Sequence, residues 1–122
     1  MSKTVMLVDD SPTVRQVMRF AFEHADYAVL EAADGLEALS ALDGRKVSAV
    51  VCDIAMPKLD GLAFLKAMRE KREYRFTPVV MLTTESQAEK KAQAQAAGAK
   101  AWVLKPFHPT QLLTVVQKLV LP

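Results

Sequence analysis

The chain has 122 residues, 51% of them hydrophobic and 25% charged, which is typical of a single globular domain spanning 1–122. A net charge of +2 without a long basic tract argues against nucleic-acid binding, and no apolar run approaches the ~18 residues of a membrane span. One cysteine, Cys52, excludes an internal disulfide, and with no signal peptide at the N-terminus we expect a cytoplasmic protein.

Short apolar runs alternate with helical patterns along the whole chain. The apolar runs predict buried strands at 4–8, 28–32, 49–52, 78–82 and 101–104. Apolar residues at helical spacing predict helices after Ser11 and at about 35–43, 61–71 and 109–120. A further helix follows the fourth strand: it begins at a capping-box pattern, Ser86 to Glu89, and ends before Gly98. Its apolar positions are all alanines, so we expect it to be held more weakly than the others.

The alternation of strands and helices predicts the fold class. A βαβαβαβαβα order implies right-handed crossovers and a parallel sheet with helices on both faces. Five strands fit the flavodoxin-like α/β fold, a three-layer sandwich with strand order 2-1-3-4-5.

Polar side chains follow four of the predicted strands. Asp9 and Asp10 follow the first, Asp53 the third, Thr83 the fourth and Lys105 the fifth. Each has an ordinary explanation on its own, such as helix capping or a surface turn. Together they lie at the carboxyl edge of one sheet, where open α/β folds place their sites.

These residue types predict a metal-assisted phosphoryl site. Neighbouring carboxylates repel each other by about 4 kcal/mol per pair at about 4 Å and an effective dielectric of about 20. Mg²⁺ relieves such repulsion, and a carboxylate is a competent nucleophile toward phosphorus. Asp9 and Asp10 would hold the metal, Asp53 would accept the phosphoryl group, and Lys105 and Thr83 would stabilise its charge.

Four segments of the chain resemble response-regulator receiver domains, in particular the stand-alone CheY type of chemotaxis systems: VMLVDDS (5–11), VVCDIAMPKLDG (50–61), VVMLTTES (79–86) and AGAKAWVLKPF (97–107). The resemblance implies a two-component signalling protein whose Asp53 takes a phosphoryl group from a CheA-like sensor histidine kinase. It also implies that Asp10, Asp53 and the backbone carbonyl of Ala55 ligate Mg²⁺, with Asp9 acting mainly through water.

The resemblance further implies a conformational switch. Lys105, joined to Pro106 by a cis peptide, would contact the phosphoryl group, Thr83 would move toward it, and Trp102 would rotate into the space left behind. The face formed by helix 4, strand 5 and helix 5 would then bind an output protein such as a flagellar motor switch. We expect a monomer that can meet an auxiliary phosphatase and whose only chemistry is its own phosphorylation and dephosphorylation.

Other functions are compatible with parts of the pattern. A twitching-motility regulator or a phosphorelay intermediate would share the whole site. A Mg²⁺-dependent phosphatase of the haloacid-dehalogenase type needs a second aspartate two residues after its nucleophile, where this chain has Ala55. A flavodoxin needs hydroxyl and amide donors after the first strand, where this chain has two aspartates that would repel the phosphate of FMN.

Overall fold

The computed structural model describes residues 3–120, apart from the side chain of Glu85. Five strands form one parallel sheet: β1 (Thr4–Val8), β2 (Ala28–Ala32), β3 (Ala49–Asp53), β4 (Val79–Thr83) and β5 (Ala101–Leu104). They pair in the order β2-β1-β3-β4-β5. This confirms the predicted flavodoxin-like fold. Asp53 and Thr83, expected just after their strands, are the last residues of β3 and β4.

Five α-helices connect and cover the described strands: α1 (Pro12–His24), α2 (Gly35–Ala41), α3 (Gly61–Glu70), α4 (Ala88–Ala96) and α5 (Pro109–Leu119). None of the helices within residues 3–120 has the length and hydrophobicity required to cross a bilayer.

The sheet separates two hydrophobic cores. Alternate residues of a strand point to opposite faces, so Val5 and Leu7 of β1 pack under α1 and α5 while Met6 and Val8 pack under α2, α3 and α4. Cys52 is fully buried in the second of these cores, and burial raises the pKa of its thiol, as expected for an unreactive cysteine.

The start of α1 follows the prediction, whereas the start of α4 does not. Ser11 is the N-cap of α1 and accepts a hydrogen bond from the Val14 amide at 3.2 Å. The predicted Ser86–Glu89 capping box is wrong, because the chain turns as soon as β4 ends. Thr84 caps a 3₁₀ turn (Glu85–Gln87) and its amide donates to the Gln87 side chain at 2.7 Å.

The end of α4 matches the sequence. Gly98 has a φ of +104°, a left-handed conformation that glycine adopts without strain, directly after the C-cap Ala97. Of the residues in α4, only Ala94 is buried, which agrees with the weak packing expected from its alanine positions.

Candidate functional site

Three carboxylates meet where β1 and β3 end. These strands are neighbours, with Val8 opposite Cys52, so the residues that follow lie side by side. One carboxylate oxygen from each of Asp9, Asp10 and Asp53 lies within 4.8 Å of the others. Asp9 is fully buried and the Asp53 side chain is 9% exposed, whereas Asp10 is exposed. The cluster therefore opens to solvent on the Asp10 side.

Lys105 bridges two of these carboxylates. Its Nζ donates to Asp53 Oδ2 at 3.0 Å and to Asp9 Oδ2 at 3.1 Å. The peptide bond to Pro106 is cis, as predicted. The Lys105 amide donates to the Thr83 carbonyl at 2.6 Å, which joins the ends of β4 and β5.

The charges in this cluster shift each other's protonation. Burial, together with the charge of Asp9, raises the pKa of Asp53 despite the opposing effect of Lys105. Burial by itself would lower the pKa of Lys105, but its hydrogen bonds to Asp53 and Asp9 outweigh burial and raise it. Asp53 thus lies in an environment that penalises its negative charge and favours a cation beside it.

The loop that carries Asp9 is fixed by hydrogen bonds that the sequence did not predict. The Ser11 amide donates to Asp9 Oδ1 at 2.9 Å, and Arg15 Nη1 donates to the Asp9 carbonyl at 2.6 Å. Glu31 of β2 holds Arg15 in place through an ion pair of 3.0 Å. A charged residue on α1 gives no sequence signal for this role, because its partners come from separate elements.

Gly61 allows α3 to begin directly against the site. A Cβ atom at this position would lie 2.3 Å from the Asp53 carbonyl oxygen and 2.8 Å from Ile54 Cα. The Gly61 amide donates to the Ile54 carbonyl at 3.0 Å, and Asp60 caps the helix. The exposed Ala55 lies in the same loop, and its amide donates to Asp53 Oδ1 at 3.3 Å.

Thr83 and Trp102 lie on one face of the sheet, beneath α4. Met81 pairs with Trp102 and Thr83 pairs with Leu104, so the two side chains of interest are diagonal neighbours on adjacent strands. Thr83 is buried. Trp102 is half-buried against the core under α4, and so it does not join the carboxylate cluster.

A groove runs from Lys105 along α1. A cavity of about 440 Å³ is lined by Thr13, Val14, Val17, Thr84, Lys105, Pro106 and Phe107. A second, of about 310 Å³, is lined by Thr13, Gln16, Val17, Phe20 and Pro109, so the two are adjacent. The exposed fractions of Val17 (43%) and Phe20 (65%) make this face unusually apolar for a surface.

The donor set fits a hard divalent cation. Carboxylate oxygens are the ligands that Mg²⁺ prefers, and the exposed Asp10 leaves room for the water ligands that Mg²⁺ retains. Among the described residues, Asp9, Asp10 and Asp53 are the group placed closely enough to hold such an ion.

Comparisons with known proteins identify a family for this chain. Residues 5–117 match the family described as the response regulator receiver domain. Response regulator Rre1 of Synechocystis sp. is 36% identical over 118 residues, which cover 96% of this chain and 51% of that protein. The chain spans about half the length of the curated relatives it matches.

Solved structures give the same result. The chemotaxis response regulator CheY4 of Vibrio cholerae superposes with a TM-score of 0.92 at 40% identity, over 98% of this chain and 100% of that chain. The receiver domain of sensor histidine kinase PA1611 from Pseudomonas aeruginosa shares the fold at 24% identity, with a TM-score of 0.88 over 98% of each chain. That structure has a magnesium ion coordinated in its active-site cleft. The chain therefore belongs to the receiver domain family of two-component response regulators.

Proposed function

We propose that this receiver domain takes a phosphoryl group onto Asp53 from a CheA-like histidine kinase and signals in chemotaxis, as a cytoplasmic monomer, through a target such as the flagellar motor switch. The observation that carries the phosphoacceptor role is the position of Asp53, between a lysine at 3.0 Å and two further carboxylates. The similarity to CheY4 over nearly the whole chain supports the chemotaxis assignment.

The transfer uses a nucleophile and counter-charges already in place. A carboxylate oxygen of Asp53 forms a bond to phosphorus while the bond from phosphorus to the donor histidine nitrogen breaks, and the electron pair stays on the imidazole. Lys105 Nζ is hydrogen-bonded to Asp53 and Asp9. From this position it could contact the oxygens of the incoming phosphoryl group. The hydroxyl of Thr83, at the end of the neighbouring strand, would be a further donor.

Magnesium would be held by Asp10, Asp53 and the carbonyl of Ala55, with Asp9 acting through water. When bound, the ion supplies positive charge to the transferring phosphoryl group and offsets the repulsion within the cluster. The protein contributes the fixed position of each carboxylate: Ser11 and Arg15 hold Asp9, and the close approach of α3 holds the loop after Asp53.

The output surface would be the face formed by α4, β5 and α5. Phosphorylation would draw Thr83 toward the site and open space for Trp102, its diagonal neighbour beneath α4. Contacts made only in the phosphorylated conformer shift the population toward it, and the change at Trp102 then alters this face.

The groove along α1 suits the phosphodonor protein. It begins at Lys105, beside the acceptor, and continues to the exposed Val17 and Phe20. A helix laid in this groove would bring a histidine to the site while burying apolar surface that is otherwise exposed.

Phosphorylation on Asp53 is tested with a small acyl phosphate as donor and mass spectrometry of the intact protein. The wild type should gain one phosphoryl group when Mg²⁺ is present, and Asp53→Asn should gain none. Asp43→Asn, at an exposed aspartate paired with Arg45, is the control and should behave as the wild type. Persistent labelling of Asp53→Asn would contradict the proposal.

The donor groove is tested by comparing two phosphodonors. Phe20→Ala should slow transfer from a phosphorylated kinase domain but leave transfer from the acyl phosphate unchanged. Phe76→Ala is the control, because it removes a ring that is 85% exposed and lies before β4, at the end of the strands away from the site. This variant should change neither rate. Equal effects of both variants would contradict docking at α1.

The output is tested by binding assays on protein loaded with beryllofluoride, a phosphoryl mimic. Binding to a flagellar switch peptide would support the chemotaxis assignment. Binding to a histidine-phosphotransfer domain in place of that peptide would indicate a phosphorelay intermediate.

A further inference from the structure

We propose that Lys91 is a positioning residue of the switch: it holds the Trp102 ring against α4 by a cation–π contact and so opposes the phosphorylated conformer. This inference rests on the function proposed above for Trp102. It adds a residue of α4 whose charge sets how readily the protein is activated.

The geometry is that of a cation–π pair. Lys91 Nζ lies 4.4 Å from the centroid of the Trp102 ring, inside the range of about 6 Å in which a cation is attracted to a ring face. Tryptophan offers the strongest such attraction among the aromatic side chains. Both residues are half-buried, so the ammonium group is screened by water less than a fully exposed lysine would be.

This contact joins α4 to β5. Ala94 is the one buried residue of α4, and a methyl group buries little surface. Lys91 lies three residues before Ala94, so both are on the helix face turned toward the sheet. The pair therefore ties a weakly packed helix to the strand that carries the switch residue.

The contact must break when Trp102 turns inward. The ring would move toward Thr83, its diagonal neighbour on β4, and away from the ammonium group. A contact present in only one conformer biases the equilibrium toward that conformer. At the usual strength of such pairs, removing the charge should shift the equilibrium by about two- to fivefold toward the inward state.

The direction of the effect separates this proposal from simple electrostatics. Lys91→Met keeps a chain of similar length and removes one positive charge, which by itself would weaken the binding of an anion such as beryllofluoride. Loss of the cation–π contact predicts the opposite result, tighter binding. Lys90 is a matched control, since it is an exposed lysine on the same helix.

The experiment is a titration of the full chain with beryllofluoride in the presence of Mg²⁺, followed by the fluorescence of Trp102, the single tryptophan. Lys91→Met should bind about two- to fivefold more tightly than the wild type. Lys91→Arg, which keeps the cation, should resemble the wild type, and Lys90→Met should bind no more tightly than the wild type. If Lys91→Met acted only by making α4 more flexible, Lys91→Arg would not restore the affinity of the wild type for beryllofluoride.

The possible failures are distinguishable. A wild type with no response, or an unchanged response in Asp53→Asn, would overturn the proposed function and this inference with it. The other outcome is that the wild type responds through Asp53 but Lys91→Met binds beryllofluoride with equal or lower affinity. That outcome would overturn the role of Lys91 alone.

Discussion

Replacing Lys105 by methionine tests how the carboxylate cluster is balanced. The change keeps most of the packing of the stem and removes the charge shared by Asp9, which is 0% exposed, and Asp53, whose side chain is 9% exposed. Removing one partner of a buried ion pair costs about 3–5 kcal/mol because the other charge is left without compensation. Lys105 is itself 24% exposed, so we expect the lower end, about 3 kcal/mol, in buffer without divalent cations.

Urea denaturation at neutral pH measures this loss. With an m value of about 2 kcal/mol/M, the unfolding midpoint of Lys105→Met should fall by about 1.5 M. Adding Mg²⁺ should recover more stability in the variant than it adds to the wild type, because in the variant the ion also relieves the unbalanced repulsion.

Lys100→Met is the control for this experiment. Lys100 is exposed and precedes β5 at the other end of the same strand, and its replacement should change the midpoint little. Equal losses in the two variants, or equal gains from Mg²⁺ in the Lys105 variant and the wild type, would refute the view that Lys105 offsets the carboxylates.

Two further substitutions test the parts that position the site. Gly61→Ala should cost about 1–3 kcal/mol and slow phosphorylation, because the new Cβ would overlap the backbone of Asp53; wild-type rates would show that α3 can shift freely. Glu31→Gln should cost about 0.5–1 kcal/mol at neutral pH by loosening Arg15 and Arg19, as measured by urea midpoints. Burial raises the pKa of Glu31, but the two arginines outweigh burial and lower it below 4.5 overall. The difference in urea midpoint between Glu31→Gln and the wild type should therefore shrink as the pH falls through that lowered pKa. An equal difference at acid pH would contradict this prediction.

The sequence was sufficient for the fold and for the composition of the site because both depend on local patterns. Buried parallel strands are continuous apolar runs, and the residue that ends each run falls at one edge of the sheet whatever the details of packing. Asp9, Asp53 and Lys105 were therefore expected together before their distances were known.

The features that could not be predicted from the sequence depend on contacts between separate helices, strands and loops. Thr84 and Ser86 both begin plausible capping boxes, and the direction in which the chain leaves β4 selects Thr84. The hydrogen bond from Arg15 to the Asp9 carbonyl and the close approach of Gly61 to Asp53 are distances between elements, which no residue pattern encodes.

The path from Asp53 to α4 is short enough to need no long chain of intermediates. Lys105 contacts Asp53 through its side chain and the Thr83 carbonyl through its amide, so the ends of three adjacent strands are directly joined. Trp102 lies on β5, three residues before Lys105, and Lys91 of α4 lies over its ring. We infer that a phosphoryl group pulling on Lys105 and Thr83 would act on β5, which carries Trp102, and on β4, its neighbour in the sheet, and that the Lys91 contact would respond on the proposed output face.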